Sequence, residues 1–334
     1  MNNMNKKIKI LFTSVGRRVE LMQAFHKAAD ELNADLTIVG ADIVTDAPAL
    51  QFCDETKIVC RIKDEQYIPQ LLKICEQENI DGLIPTIDTD LLLLAENKHK
   101  FEAMGTKVLI SAVDKVKLCR DKNYTADYFI SLGLKSPLPV NTVEKYEEEV
   151  RKGTVGFPAF IKPKDGSSSI DAYKVKSIED LRVYAEKIGD YIIQPFISGR
   201  EYTIDIFCDY EGNPVYITPR ERIAVRAGEV LKTRITQDDT MIAEMQTLIK
   251  DFKPRGQITV QLIRDEVTGD DYYIEINPRF GGGAPLSIKA GADSAKAVIR
   301  MLCGEKLEYV AKAAKDGAVY SRFDQSVCVD EGLN

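Results

Sequence analysis

Tyr272-Tyr273-Ile274-Glu275-Ile276-Asn277-Pro278-Arg279 is the stretch that decides how the rest of the chain is understood. Residues 272–276 predict a strand, since aromatic and β-branched side chains dominate and the turn-forming Thr268-Gly269-Asp270-Asp271 precedes them. Period-two alternation puts Tyr273, Glu275 and Asn277 on one face, with Ile274 and Ile276 on the other. A strand over 257–263 carries Gln261, which reaches the same spot if the two strands form a hairpin. One carboxylate and two amide oxygens, without His or Cys, suit Mg²⁺ carried in with a nucleotide's phosphates. Arg279, just past the strand, is placed to touch a transferring phosphoryl group. Taken alone, the stretch is equally a surface hairpin with scattered polar residues. The upstream sequence decides.

The chain has 334 residues, enough for two or three compact units. Its net charge of −7, without a Lys/Arg block, argues against a nucleic-acid partner. No apolar run reaches the roughly 18 residues a membrane span needs. The polar start and the short apolar run 8–12 give no signal-peptide core, so the cytoplasm is the expected location. Seven cysteines without a C-x-x-C pair predict reduced thiols, mostly in apolar patterns. The two histidines, His26 and His99, both lie in lysine-flanked helical patterns, so Ser-His acyl-transfer chemistry is not expected.

Apolar strand patterns at 7–14, 36–41, 57–60, 82–85 and 107–111 alternate with helical patterns at 19–32, 66–79 and 91–101. That grammar predicts a Rossmann-like parallel sheet over residues 1–112, an α/β unit. Its ligands would sit beyond the carboxyl ends of the strands, where Arg17, Asp42 and Asp88 fall. Residues 114–132 read as one helix, with a strand at 138–140 after Ser136-Pro137. From residue 158 onward strands follow one another, at 159–162, 172–175, 191–195, 201–209 and 215–222. Helices interrupt at 178–188, 240–252 and 285–303, so an α+β unit with antiparallel sheets is expected over 113–306. The placement of 307–334 stays open.

Within that second unit, Lys162 ends a buried strand and Lys164-Asp165-Gly166-Ser167-Ser168-Ser169-Ile170 follows. Small side chains let backbone N–H groups close over a polyphosphate, and Lys162 would neutralise its charge from beneath. A glycine-serine hairpin loop beside a solvated lysine is the plainer account of the same residues. Lys122 lies within the predicted helix 114–132. Gln194-Pro195-Phe196-Ile197 breaks a strand, because Pro195 cannot donate to a ladder. The freed backbone of Phe196 and Ile197 could pair with an adenine edge, and Glu201 could accept from ribose hydroxyls.

The order of these parts resembles the ATP-grasp superfamily, over about residues 114–302. Within it, Gln261 with Glu275-x-Asn277-x-Arg279, the opening Thr13-Ser14-Val15-Gly16-Arg17-Arg18 and Ile84-Pro85-x-x-Asp88 are similar to the carbamoyl phosphate synthetase large subunit and its carboxylate–amine ligase relatives. The resemblance implies that Lys122 and Lys162 contact the α- and β-phosphates. Gly166, Ser167, Ser168 and Ser169 would cover them, within a mobile lid over about 115–195. It implies that Gln194, Pro195, Phe196 and Ile197 hold adenine, with Glu201 on the ribose. Gln261, Glu275 and Asn277 would ligate two Mg²⁺ ions, with Mn²⁺ as a substitute and Glu275 bridging. Arg279 would steady the γ-phosphoryl, and Arg226, in Val225-Arg226-Ala227-Gly228-Glu229, would add a phosphate contact. The basic positions are lysines where synthetase relatives often have arginine, and the phosphate loop is richer in serine.

The implied activity is ADP-forming ligation. ATP phosphorylates a small-molecule carboxylate, and an amine or similar nucleophile displaces phosphate. Arg17, Asp88, Arg220, Arg222 and the loop Gly281-Gly282-Gly283 before Pro285 are the candidates for the acceptor pocket. A homodimer is one assembly the resemblance allows. A single-unit enzyme making carbamoyl phosphate from bicarbonate and a non-catalytic nucleotide-binding regulator remain as alternatives. The opening Ser14-Val15-Gly16-Arg17-Arg18 lacks dehydrogenase G-x-G-x-x-G spacing.

Overall fold

The structure, a computed structural model, describes residues 7–164 and 171–329. Its first unit comprises β1 (Ile8–Thr13), α1 (Val19–Leu32), β2 (Leu36–Asp42), β3 (Glu55–Ile58), α2 (Tyr67–Glu78), β4 (Gly82–Pro85), α3 (Leu91–Ala103) and β5 (Lys107–Val108). The strands are parallel in the order β3-β2-β1-β4-β5, so the direction of winding reverses between β1 and β4. An open α/β sheet offers its ligand crevice at that reversal. β5 is shorter than the expected 107–111.

Residues 114–132 are not one helix. α4 (Val113–Arg120) and α5 (Lys122–Ser131) are separated at Asp121, whose backbone is extended and whose carboxylate accepts from the N–H groups of Asn123 and Tyr124. That N-cap restarts the helix and sets Lys122 at its first residue. A small sheet follows from α6 (Val143–Lys152), β6 (Ala159–Pro163), β7 (Tyr173–Val175), α7 (Ile178–Ile188) and β8 (Tyr191–Pro195), antiparallel in the order β7-β6-β8. It has its own core, including Tyr146, Ile161, Leu181 and Ile193. α6 is hidden in the sequence by its Glu and Lys run, which leaves Val143 and Tyr146 as its buried positions. The expected strand at 138–140 is only a bridge from Val140 to Ile193.

The main sheet is built from β9 (Gly199–Cys208), β10 (Pro214–Arg226), β11 (Glu229–Ile235), β12 (Gly256–Asp265) and β13 (Asp271–Asn277), closed at one edge by β14 (Val319–Ser321). Their order is β13-β12-β9-β10-β11-β14. Helix α8 (Asp239–Phe252) and α5 cover one face through Phe129, Met245, Leu248 and Ile204. The expected helix 285–303 is two, α9 (Ala284–Ala290) and α10 (Ser294–Leu302), broken at Gly291. Gly291 has φ 120°, and a Cβ there would lie 2.6 Å from the carbonyl oxygen of Ala313. A core containing Phe12, Phe25, Phe280 and Val298 joins the N-terminal sheet to this unit. Beyond it, β14 pairs with β11, which places part of the C-terminal stretch. Among the described residues no helix is long and apolar enough to cross a membrane.

Candidate functional site

β12 and β13 form the expected hairpin, with Gln261 directly opposite Glu275 and Thr259 opposite Asn277. Simple alternation nevertheless fails. The register slips between Gln261 and Leu262, which pairs with Tyr273, so Ile274 is an extra, bulged residue. The bulge turns Tyr273 into the same core as Ile276, away from Glu275 and Asn277. Tyr273 is thereby removed from the site face, and its hydroxyl donates to Glu244 instead.

Three side chains meet at one atom. Gln261 Nε2 and Asn277 Nδ2 both donate to Glu275 Oε1, at 2.6 and 2.9 Å. Turning the two amides over would present two oxygens beside the carboxylate. Among the described residues no group of three His, Cys, Asp or Glu side chains could hold a metal. One carboxylate with two amide oxygens therefore fits a hard cation that arrives with anionic ligands of its own, as Mg²⁺ does on a polyphosphate.

Basic groups flank this triad. Lys122 Nζ donates to the Lys164 carbonyl at 2.9 Å, which ties α5 to the end of β6. Burial pushes the Lys162 ammonium down to about 8; nearby Glu275 opposes the shift and Lys122 adds to it. Arg222 Nε lies 3.2 Å from Glu201, and its Nη1 and Nη2 reach Thr203 and the Gly228 carbonyl. Its pKa is lowered by burial and by neighbouring Arg220. Gly166, Ser167, Ser168 and Ser169 lie outside the described residues.

The adenine candidates are differently disposed. Gln194 is buried, and its amide donates to the Pro137 carbonyl at 2.6 Å, so it braces the strand end. Pro195 ends β8, and the Phe196 N–H is taken by the Pro158 carbonyl at 3.2 Å. The Phe196 carbonyl and Ile197 N–H enter no backbone hydrogen bond among the described residues.

A cleft of about 580 Å³, including its open mouth, runs from the triad past Arg222 and Arg220 to Arg18, Arg279 and the loop Gly281-Gly282-Gly283. Arg279 pairs with Asp88, and its buried Nε has no partner. Asp88 thus helps hold Arg279 from the N-terminal sheet. Two expectations fail here. Arg17 is exposed, while Arg18 lines the cleft, because Ser14 and Gly16, both at positive φ, turn the chain after β1. Arg226 is 64% exposed at the tip of the β10–β11 hairpin, paired with Asp324 and outside the cleft. Strand alternation puts Arg220 and Arg222 on the inner face, and register slips between Arg222 and Val225 break that alternation before Arg226. Helix α9 is only seven residues long, so the expected helix-terminal dock reduces to the glycine loop itself.

Two family descriptions match the sequence: "PylC-like, N-terminal domain" over residues 10–109 and "ATP-grasp domain" over 119–283. Residues 119–283 are thus an ATP-grasp domain. Curated relatives include the carbamoyl-phosphate synthase of Methanobrevibacter smithii, 28% identical over 177 residues, or 52% of this chain and 46% of that protein. The D-alanine–D-alanine ligase of Francisella tularensis subsp. holarctica is 26% identical over 199 residues, 56% of this chain and 63% of that one. This ATP-grasp chain thus spans about half the length of the curated relatives it matches. Its fold is similar to the biotin carboxylase domain of the 2-oxoglutarate carboxylase from Hydrogenobacter thermophilus, solved as a dimer with MgADP, ADP and bicarbonate. That likeness has a TM-score of 0.72 and 19% identity, over 93% of this chain and 73% of that one. It is also similar to the N5-carboxyaminoimidazole synthetase from Staphylococcus aureus, with TM-score 0.71 and 18% identity, over 92% and 81%. At such identities the likeness is one of fold. Arg18, Thr203 and Thr259 line the ATP-grasp cleft without having been singled out in the sequence, since each comes from a different strand or turn.

Proposed function

We propose that this ATP-grasp protein is an ADP-forming ligase that activates a carboxylate with ATP and joins it to an amine or similar nucleophile. The observation that carries the reading is the convergence of Gln261 and Asn277 on Glu275, with Lys162 close enough to sense the same carboxylate. In the proposed reaction a carboxylate oxygen attacks the γ-phosphorus of ATP, the bond to the β-phosphate oxygen breaks, and ADP leaves. The amine nitrogen then attacks the acyl carbon, and phosphate departs with the bonding electrons. Magnesium, held by Gln261, Glu275 and Asn277, would screen phosphate charge; we propose two ions, with Mn²⁺ as a substitute.

Lys122, Lys162 and Arg222 would bind the phosphates, with Arg222 in the role expected of Arg226. Glu201 would meet the ribose, and the Ile197 N–H with the Phe196 carbonyl the adenine edge. Arg279, steadied by Asp88, would face the transferring phosphoryl group. Positioning and charge neutralisation then suffice without a side-chain nucleophile. The small β7-β6-β8 sheet with its separate core supports a unit that moves as a lid over the nucleotide. The same reading puts the enzyme in the cytoplasm and allows a homodimer.

The test is a screen of carboxylates and amines for stimulated ADP release, with mass spectrometry of the products. Carboxylate-dependent ADP release and a ligated product are expected. Release stimulated by bicarbonate alone would favour a carbamoyl-phosphate-forming enzyme, and nucleotide binding without turnover would leave only a regulator.

A further inference from the structure

The cleft continues past the triad into a part that the nucleotide does not account for. Arg220 is only 2% exposed, and its Nε is bound to Asp205 Oδ2 at 2.8 Å. Asp205 also accepts from Ser287 at 2.6 Å and from Thr259 at 3.3 Å, so the carboxylate is fixed from three sides. Arg220 Nη1 is nevertheless buried without a hydrogen-bond partner among the described residues, in a residue that lines the cleft. A buried guanidinium N–H without an acceptor costs free energy that an anionic ligand would recover.

A second guanidinium stands beside the first. A Cβ on Gly282 would lie 2.8 Å from Arg18 Nη1, and one on Gly283 would lie 2.5 Å from Arg220 Nη2. Two adjacent glycines thus lie against two arginines, one brought by the N-terminal sheet and one by β10, with the Glu229 carboxylate also against Gly282. Among the described residues the hydrogen-bond and ion-pair partners of Arg18 are loose, Glu229 at 3.8 Å and the Thr86 carbonyl at 3.3 Å, with the Asp88 charge nearby. Glu229 also meets Arg322 at 3.3 Å and is half exposed, so it can stay with Arg322 when an anion reaches Arg18.

We infer that the acceptor carries a second anionic group besides the carboxylate that is activated, and that Arg18 and Arg220 bind it across the Gly282-Gly283 strip. The inference rests on the ligase reading above and narrows its substrate to dianionic acids. Glycine at both positions follows, since a side chain would press on Glu229 and Arg18 at Gly282 and on Arg220 at Gly283.

The test compares ADP release by the full chain with Mg·ATP and matched acids: acetate, propionate and butyrate against malonate, succinate and glutarate. At least one dianion is expected to stimulate release ten-fold or more above any monocarboxylate. Arg220→Met removes a buried partner of Asp205 and could misfold, so Arg18→Gln, whose side chain reaches the surface, is the second variant. Either should raise the KM for the active dianion at least ten-fold. Equal stimulation by monocarboxylates, no stimulation by any dianion while Mg·ATP is bound, or an unchanged KM in Arg18→Gln would overturn the inference. Absence of Mg·ATP binding in calorimetry would instead overturn the ligase reading itself.

Discussion

The two halves of the cleft are built in opposite ways. The triad proposed to hold the nucleotide's cation rests on one hairpin, in which Gln261, Glu275 and Asn277 are fixed by strand register within seventeen residues of chain. The proposed acceptor half gathers Arg18, Arg220 and Gly282-Gly283 from a turn, a strand and a loop that only the assembled fold brings together. A local site is written in the order of its residues. A composite one is written in the packing of Phe12, Phe25 and Phe280, which sets the N-terminal sheet against the loop.

The sharpest break between the halves should come at Glu275. Replacing it with Gln removes the only charge from the triad, and ADP formation is expected to fall at least about 100-fold. Circular dichroism should be unchanged, because the Gln carbonyl oxygen can still accept from both amides; undiminished turnover would refute the metal assignment. Lys162→Ala is expected to weaken ATP binding by roughly 10- to 100-fold, the worth of a charge-assisted contact.

The same lysine yields a pH signature. With its pKa near 8 in the free protein, nucleotide affinity should fall as pH rises through 8. Bound phosphate favours the ammonium, so binding near pH 8.5 should take up a proton, read as a dependence of the calorimetric heat on buffer ionisation. On stability the sign is opposite. The depressed pKa penalises the folded state below pH 8, and that penalty is relieved as pH rises toward the unfolded value of 10.5. Buffer-independent heats would contradict this placement of Lys162.

Smaller effects should separate the acceptor half. Gly283→Ala forces a methyl group to within 2.5 Å of Arg220 Nη2, and should raise the acceptor KM several-fold while leaving ATP affinity within about two-fold. Arg226→Ala, at an exposed hairpin tip, should change neither by more than about two-fold. A large loss in Arg226→Ala would mean that the hairpin tip closes over the phosphates during turnover.

What was legible in the sequence follows the same division. The parallel first sheet, the β12–β13 hairpin and the strand break at Pro195 come from alternation, Gly/Pro punctuation and β-branched runs, and all are present. The bulge at Ile274 is invisible to alternation, because one extra residue changes the face without changing composition. The helix restart at Asp121 was hidden since its flanks share one apolar period, and only the carboxylate's cap distinguishes them. Arg17 and Arg18 are equivalent as letters; the positive φ of Ser14 and Gly16 sends one out and the other in. β11 was missed because mixed charges obscure its two-residue period, and β14 because Val-Tyr-Ser is too short to show one.

The central claim is that Glu275 and its two amide neighbours hold the cation of a bound triphosphate. Calorimetric titration with a non-hydrolysable ATP analogue, with Mg²⁺ and again in EDTA, tests it most directly on the wild type and Glu275→Gln. Tight binding with Mg²⁺, weakened at least about 100-fold by either EDTA or the substitution, is the expected result. Equal affinity in all four titrations would contradict it.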